Sequence, residues 1–448
     1  MNLTYAQLLK NNRNFRNLLW GQIVSEMGNW FNFIAGLGLV RVVSEASPMA
    51  AGILFVARLL PFALFSPIAG TFVDRFSRRQ VMIWSDVIRV FVALSFVLVT
   101  SAENLWIAYL GTVLLATFGA FFEGAKNAAT PNMTGKDGLL AGTALMFSTR
   151  FLLMAIGSAL GGFAAYAFGY KVAFIINAAS FAVSAFSVWL IPEEATRDDE
   201  TALKMKDKLA RESFFSELKE GFRYTTQNHF ALTILIMNVI WATGGGAINV
   251  VFERMGGVFF AEKENLNPDL AVGILWFASG LGLFLGMMVA HRTSAILDRR
   301  NNHSSFIGWT LIIHGILFSI GGLMPSLWLL ALFCFVSRAI IGVEYAVQET
   351  LFQRSLPDYI RGRISTLDRG AEMTIFSLSS YLASLAIYGI SPQSLTVISG
   401  ILSAAAGIVW FWREKNRDSA FQIQNKSEPP AIAGGCKNKS EPSAVAGG

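Results

Sequence analysis

The chain has 448 residues, of which 53% are hydrophobic and only 15% charged. A soluble protein of average composition is about 25% charged, so this sequence carries too little charge to cover a soluble surface. Its two cysteines, Cys334 and Cys436, exclude a disulfide framework. The formal net charge is +6, but the same composition excludes a disordered chain and a nucleic-acid-binding protein, and predicts an all-α integral membrane protein.

Twelve stretches are apolar enough to cross a bilayer, which requires about 20 mostly apolar residues. They follow a polar leader, residues 1–17, which lacks a small-residue cleavage site, so we expect the first span to be a retained helix. The predicted spans are residues 18–40, 50–72, 80–101, 105–125, 141–166, 170–191, 229–252, 270–291, 305–324, 327–350, 367–389 and 394–412. An even number of spans places both termini on the same side of the membrane.

The distribution of basic residues predicts which side that is. With both termini in the cytoplasm, 28 of the 36 Lys and Arg residues fall in cytoplasmic segments. Four more lie within spans, and four lie outside: Arg41, Lys171, Arg254 and Lys263. Because cytoplasmic loops carry the excess of basic residues in membrane proteins, this ratio predicts that both termini are cytoplasmic.

The longest polar interval before the tail, residues 192–228, is a predicted cytoplasmic loop that divides the chain into two bundles of six spans. These bundles are residues 18–191 and 229–413. Within the loop, apolar residues recur near helical spacing between positions 214 and 224, which predicts an amphipathic helix at the cytoplasmic membrane interface. A plain linker with some apolar residues is the alternative.

Traces of duplication relate the two bundles. Asp74 and Asp298 follow the second and eighth spans and lie 224 positions apart, while Pro131 and Pro357 lie 226 positions apart. Such a repeat is typical of transporters in which two halves move around a central site. The tail, residues 414–448, holds two copies of a short segment rich in small residues, Pro and Gly, and is predicted to be a disordered cytoplasmic tail.

The loop between the second and third spans carries the most specific motif. From Gly70 to Met82 it reads GTFVDRFSRRQVM, with a Gly, an Asp-Arg pair four residues later and then a basic pair. This resembles the signature of the major facilitator superfamily, with Ser77 in place of a common glycine. Shorter segments at 86–89, 217–224 and 356–363 resemble the branch of that family that contains enterobactin-type siderophore exporters and macrolide-efflux proteins. The resemblance implies two pseudo-symmetric six-helix bundles.

The resemblance also implies a conformational latch, which holds the halves together when the cytoplasmic side is closed. Its residues would be Gly70, Asp74, Arg75, Arg78 and Arg79, with Asp368 at the start of the eleventh span as an acidic partner. Asp74 suits the N-terminus of the third span, which attracts a carboxylate, and the arginines would face the cytoplasm or acidic headgroups. The alternative is that the arginines only anchor the topology.

Charged residues within spans are expensive, at about 2.5–3.5 kcal/mol or more each, so each one suggests a function. Glu26 and Arg150 lie at similar depth in spans one and five, which are neighbours in the family fold, so we expect them to pair. Glu26 is then a candidate proton carrier, and the alternative is a static ion pair. Arg338 is a candidate binder of an anionic substrate group, and Arg58 a weaker one.

Other intramembrane charges have simpler interpretations. Asp86 and Arg89 are three residues apart on one helical face and are predicted to form a structural pair. Glu344, Glu349 and Glu372 lie nearer the cytoplasmic ends of their spans, where snorkelling or water makes them less informative.

The sequence contains no nucleotide-binding signature of the P-loop type and no His/Cys cluster, so we expect neither an enzyme nor a cofactor or metal site. The leading hypothesis is a secondary active transporter that exports an amphipathic small organic molecule, either drug-like or siderophore-like, against protons by alternating access. An uptake permease or a lipid or metal exporter of the same fold is the alternative, and a non-transporting sensor or scaffold is less favoured. We expect a monomer in a bacterial inner membrane, with the substrate, protons and the bilayer as its partners.

Overall fold

The computed structural model describes residues 3–196, 214–300 and 302–414, and this part of the chain forms helices and turns without any strand. Twelve long helical segments follow one another, and we name them α1 to α12. Their bounds are α1 Arg13–Val43, α2 Pro48–Arg75, α3 Arg78–Ser95, α4 and α5 within Leu105–Phe168, α6 Tyr170–Trp189, α7 His229–Arg254, α8 Pro268–Arg300, α9 His303–Gly322, α10 Leu327–Ser355, α11 Asp358–Ala386 and α12 Pro392–Glu414. Segments α4 and α5 meet at Gly135, where a φ of 63° interrupts the helix.

The structure confirms the all-α membrane fold. Ten of the described helical segments are long and apolar enough to span a bilayer by themselves. The other two, α1 and α11, are as long but carry more polar residues. Because the first turns of α11 are polar, hydropathy placed its start at residue 367, whereas the helix begins at Asp358.

Part of the predicted leader, residues 1–17, is helical in the structure. A short helix, Tyr5–Asn11, begins at the N-cap Thr4 with a reciprocal capping box to Gln7. Leu8 in this helix and Phe15 in α1 are fully buried in the core of the first bundle. The leader therefore folds onto the N-terminal half, because its few apolar residues find partners there.

The amphipathic helix predicted in the central loop is present as Phe214–Gln227. It packs against α11, where the Arg363 guanidinium pairs with the Glu220 carboxylate. Its location at the membrane interface stays a prediction. The predicted tail, residues 414–448, lies outside the described residues apart from Glu414, and so do both of its repeats.

The two halves, α1–α6 and α7–α12, meet mainly along two helix pairs, α5 with α8 and α2 with α11. Gly162 of α5 permits a close approach, because a Cβ atom there would lie 2.6 Å from the Asp269 carbonyl oxygen of α8. Of the other glycines in α5, Gly157 and Gly161 pack instead against Trp30 and Phe31 of α1. Small residues thus serve packing both within and between the halves.

The two ends of this bundle differ. We call the end that carries the starts of α1 and α7 the terminal end, and the end with the α1–α2 and α7–α8 connections the distal end. One hydrophobic cluster at the distal end combines buried residues of both halves, including Phe33, Phe55, Phe252 and Leu275. At the terminal end there are two clusters, and each draws its residues from a single half. The halves are therefore joined at the distal end and have separate cores at the terminal end.

Candidate functional site

A buried ion network joins the halves at the distal end. Arg41, near the end of α1, donates to both carboxylate oxygens of Glu253 in α7, from Nε at 2.7 Å and from Nη2 at 2.8 Å. Its Nη1 donates to Asp269 Oδ1 of α8 at 2.9 Å, and the Tyr170 hydroxyl donates to Asp269 Oδ2 at 3.1 Å. We call Arg41, Glu253, Asp269 and Tyr170 the distal network. One guanidinium of the first half thus holds two carboxylates of the second.

Because the distal network is buried, the loss of one partner costs far more free energy than the intact network contributes. The exposed fractions of Arg41, Glu253 and Asp269 are 9%, 1% and 4%. An ion pair in such a place gains little over apolar packing, but removing one partner costs about 3–5 kcal/mol because the remaining charge stays buried. Arg41 carries one positive charge against two acids, so its loss would leave two uncompensated carboxylates.

Two glycines leave room for the side chains of the distal network. A Cβ atom at Gly38 would lie 2.3 Å from Asp269 Oδ1, and one at Gly257 would lie 2.7 Å from Arg41 Nη2. Gly257 lies in Met255–Phe260, a π-helical turn that extends α7, and turns of this kind often occur at functional sites. Glycine at both positions is therefore required by close approach.

A second contact crosses between the halves at this end. Arg254 Nη1 donates to the Ala46 carbonyl oxygen, in the α1–α2 turn, at 2.7 Å. Below the network, the Trp276 ring of α8 lies edge-on to Phe33 of α1, with ring centroids 5.3 Å apart. The distal end is closed by charge and by aromatic packing together.

The predicted latch residues lie at the terminal end of α2 and α3, and most of the interactions that the structure shows there stay within the first half. Arg78 is buried, and its Nη1 donates to the carbonyl oxygens of Ala128, at 2.9 Å, and Thr196, at 3.0 Å. Arg79 Nη2 donates to the Trp189 carbonyl oxygen at the end of α6, at 2.7 Å. Arg78 is therefore buried rather than turned to the cytoplasm, while Arg79 is half-buried, and its position at the membrane surface stays a prediction.

The other latch residues are placed as follows. Gly70 faces open space, and Arg75 is exposed. The N-cap of α3 is Ser77, whose hydroxyl accepts from the Gln80 backbone N–H at 3.4 Å. Asp74 lies in the last turn of α2, but its side chain is outside the described residues, so the latch stays a prediction.

Asp368 lies further from the start of its helix than predicted. It lies ten residues after the first residue of α11, about 15 Å along the helix at 1.5 Å per residue. Both of its carboxylate oxygens accept from Asn238 Nδ2 of α7, at 2.9 and 3.2 Å, and Asn238 Oδ1 accepts from Gln348 of α10. Its bonds in this conformation are thus to the second half rather than to the arginines of the loop.

The predicted Glu26–Arg150 ion pair is not formed among the described residues, and that prediction is wrong for this conformation. Arg150 is exposed and Glu26 half-buried, and both are charged neighbours of Arg58. The Arg58 guanidinium lies 4.0 Å from the Phe33 ring centroid. The charged neighbour that the structure gives Glu26 is therefore Arg58.

The remaining intramembrane predictions have clearer outcomes. Asp86 and Arg89 form the predicted pair, with Arg89 sandwiched between the rings of Phe122 and Phe181. Arg338 is 7% exposed, its Nε has no hydrogen-bond partner, and it makes no ion pair among the described residues. It is buried against α8 near Gly282.

The acids that sequence reasoning set aside are more buried than expected. Glu344 is only 2% exposed and Glu372 9%, so neither snorkels to the surface. Both line one small recess in the second half. The sequence missed this, because a span reveals its depth by hydropathy but not which of its faces is covered.

Comparison with known proteins agrees with this architecture. The family profile of the Major Facilitator Superfamily matches residues 18–367, which is most of the chain. The chain belongs to the Major Facilitator Superfamily.

Curated relatives in this superfamily align along nearly the whole chain. An uncharacterized MFS-type transporter of Bacillus subtilis, YfiS, is 24% identical over 95% of this chain and 99% of its own length. The putative bacilysin exporter BacE of Bacillus subtilis is 22% identical, with 94% and 98% covered. Macrolide efflux protein A of Streptococcus pyogenes is also 22% identical, with 87% and 94% covered. The resemblance to the macrolide-efflux branch is thus confirmed.

Solved structures of the superfamily confirm the fold. A bacterial homologue of the iron transporter ferroportin, crystallised in an inward-facing state, superposes with a TM-score of 0.65 at 16% identity, covering 89% of this chain and 98% of that one. At this identity the likeness concerns the fold alone. The chain is therefore a multi-pass transporter of the Major Facilitator Superfamily with efflux-type relatives, and not an enzyme.

Proposed function

We propose that this transporter exports an amphipathic small organic molecule in exchange for protons, by alternating access. The observation that carries the proposal is the contrast between the two ends. The buried distal network holds the halves together at one end, while each half has its own core at the other. This arrangement is that of a transporter whose central site faces the terminal end.

The direction of transport follows from charge and from relatives. If the terminal end is cytoplasmic, as the bias of 28 to four basic residues predicts, the conformation accepts its cargo from the cytoplasm. The named relatives include an efflux protein and a putative exporter. Both considerations support export across a bacterial inner membrane.

Proton exchange is supported by acidic side chains within the membrane-spanning bundle. Glu26 is half-buried in the first half near Arg58, and Glu344 and Glu372 are buried in the second. Intramembrane carboxyl groups mark proton pathways in pumps and transporters, because they alternate between a charged and a neutral form. The latch formed by Asp74 and the loop arginines would close the terminal end in the other half of the cycle.

Everted membrane vesicles test the proposal, because their outer face is the cytoplasmic face. Vesicles that contain the transporter and are acidified inside should accumulate ethidium, a permanent cation that cannot be trapped by protonation. Dissipating the pH gradient with an uncoupler should stop the accumulation, and vesicles without the transporter should show none. Accumulation that continues without any ion gradient would rule out secondary transport, and loss of preloaded dye under the same gradient would favour an uptake permease.

A further inference from the structure

A small recess lies inside the second half, between α7, α10 and α11. Its polar lining consists of Asn238, Trp241, Glu344, Tyr345, Gln348 and Glu372. The free volume is about 10 Å³, which is close to the minimum that holds one water-sized group. The recess is therefore a site for one small polar group rather than for a whole organic molecule.

Glu344 gives the recess an unsatisfied acceptor. The side chain is 2% exposed and lines the recess, and its Oε1 has no hydrogen-bond partner in the described part of the chain. A buried polar atom without a partner costs about 1–3 kcal/mol, and more if it is charged. A guest that supplies a donor would satisfy this acceptor.

The surroundings of Glu344 favour a positively charged guest. Glu372 lines the same recess, and Arg369 is the cation that acts on it. Arg369 is exposed and donates from Nη2 to the Tyr345 hydroxyl at 2.9 Å. No ion pair reaches Glu344 among the described residues, and the lining of the recess holds two carboxyl groups and no basic residue.

The shape and the lining together select among cations. An ammonium group, –NH₃⁺, is about as large as a water molecule and offers three donors to carboxylate oxygens. The recess also presents the aromatic side chains of Trp241 and Tyr345, and aromatic rings attract cations. Trimethylammonium groups and larger cations exceed the free volume.

We propose that this recess binds the protonated primary amine of the transported molecule, with the Glu344 carboxylate as its main partner. The inference rests on the proposed function, since it assigns one chemical group of the exported cargo. It places the ammonium end of that cargo in the second half.

Equilibrium binding to the full chain in lipid nanodiscs tests the assignment. The probes are dansylcadaverine, which carries a primary ammonium, and its N-acetylated derivative, which is neutral but otherwise the same. Binding is followed by energy transfer from tryptophan to the dansyl group. We expect the wild-type protein to bind the amine at least about tenfold more tightly than the acetylated probe, equivalent to about 1.4 kcal/mol.

Variants locate the effect. Glu344→Gln should bring the two affinities to the same value, and Glu372→Gln should reduce their ratio, whereas Glu103→Gln, a change of an exposed acid at the distal end, should leave the ratio unchanged. Equal affinities in the wild-type protein, no measurable binding of the amine, or an unchanged ratio in Glu344→Gln would each overturn the proposal. The wild-type comparison holds even if a variant fails to fold.

The two proposals can fail separately. The nanodisc experiment uses no ion gradient, so it is independent of proton coupling and of the direction of transport. Loss of amine selectivity beside normal ethidium export in vesicles would remove only the recess from the mechanism. Intact amine selectivity without gradient-driven export would remove only the proposed coupling.

Discussion

The two ends of the molecule differ in how the halves contact each other. At the distal end, Arg41 crosses between the halves to Glu253 and Asp269, and one apolar cluster spans both. At the terminal end, the hydrogen bonds shown for Arg78 and Arg79 stay within the first half, and each half has its own cluster. The same kind of residue, arginine at a helix end, thus joins the halves at one end and reinforces a single half at the other.

This contrast indicates where the free energy of the conformational change lies. A joined end stabilises one conformation only, because its buried charges lose their partners when the halves separate. Bonds within a half can persist in every conformation and cost nothing when the halves move. We therefore expect substitutions at the distal network to change the populations of conformations, and substitutions at Arg78 or Arg79 to change the stability of the first half.

The largest effect is expected for Arg41→Gln. Removing the guanidinium leaves the carboxylates of Glu253 and Asp269 buried without a cation, which should cost the joined distal end about 3–5 kcal/mol. Spin labels at Glu103 and Glu262, exposed on opposite halves at this end, should move apart in pulsed electron resonance measurements. Adding Glu253→Gln should recover part of the loss.

Lys171→Gln is the control for this experiment, because Lys171 is an exposed basic residue at the same end. Its label distances should match those of the wild-type protein. If Arg41→Gln gave the same distances as the control, the distal network would not hold the halves together.

The next effect is expected for Asp74→Asn, at the terminal end. By the resemblance to the family signature, this carboxylate takes part in closing that end, and a hydrogen bond to a charged group contributes about 1.5–3 kcal/mol. Ethidium export in everted vesicles should fall about tenfold to a hundredfold at normal expression. Normal export would exclude the latch.

Asp298→Asn serves as the matched control from the second half. Asp298 lies in the last turn of α8 as Asp74 lies in the last turn of α2, and its partly exposed carboxylate pairs with His303 at 3.1 Å and Arg354 at 3.8 Å. Exposed pairs contribute about 0–1 kcal/mol. We expect a much smaller loss of export than for Asp74→Asn.

A moderate effect is expected where α5 crosses α8. Gly162→Ala would place a methyl group 2.6 Å from the Asp269 carbonyl oxygen, and overpacking of this kind costs about 1–3 kcal/mol. The label distances at the distal end should lengthen less than in Arg41→Gln. Gly119→Ala, where a Cβ meets nothing within 4 Å, should leave them unchanged, and equal behaviour of the two variants would contradict a close-packed crossing.

The smallest structural effect is expected for Glu26→Gln, midway between the ends. Glutamine keeps the size of the side chain but cannot carry a proton, and no ion pair with Arg150 is lost in this conformation. Label distances should stay constant, while uphill export in vesicles stops and downhill exchange continues. Concentration of dye by this variant with the wild-type dependence on pH would remove Glu26 from the coupling.

Local and averaged properties of this chain could be predicted from its sequence. Hydropathy over about 20 residues indicates a span whatever its neighbours are, which is why the twelve spans and two halves were predictable. The Asp86–Arg89 pair was predictable for a similar reason, since residues three apart on a helix face the same way.

Contacts between segments that lie far apart in the sequence could not be predicted from such local properties. Arg41 lies 212 and 228 positions before its partners, and no periodicity relates them. The available signal was indirect, since Arg41 and Arg254 belong to the few basic residues predicted on the outer side, where the positive-inside rule disfavours them. The position of Asp368 within α11 could not be predicted because the polar first turns hide the start of that helix. The burial of Glu344 could not be predicted because hydropathy does not report which face of a helix is covered.

Gly257, which lies beside the distal network, has a consequence for the speed of the transport cycle. If the bonds of Arg41 must break each time the distal end opens, the opening rate depends exponentially on the free energy needed to break them. A single methyl group at Gly257 would press on the guanidinium without removing any charge. Such a change would shorten the lifetime of the closed distal end and leave its chemistry intact, so turnover could be adjusted at a position that touches neither cargo nor proton.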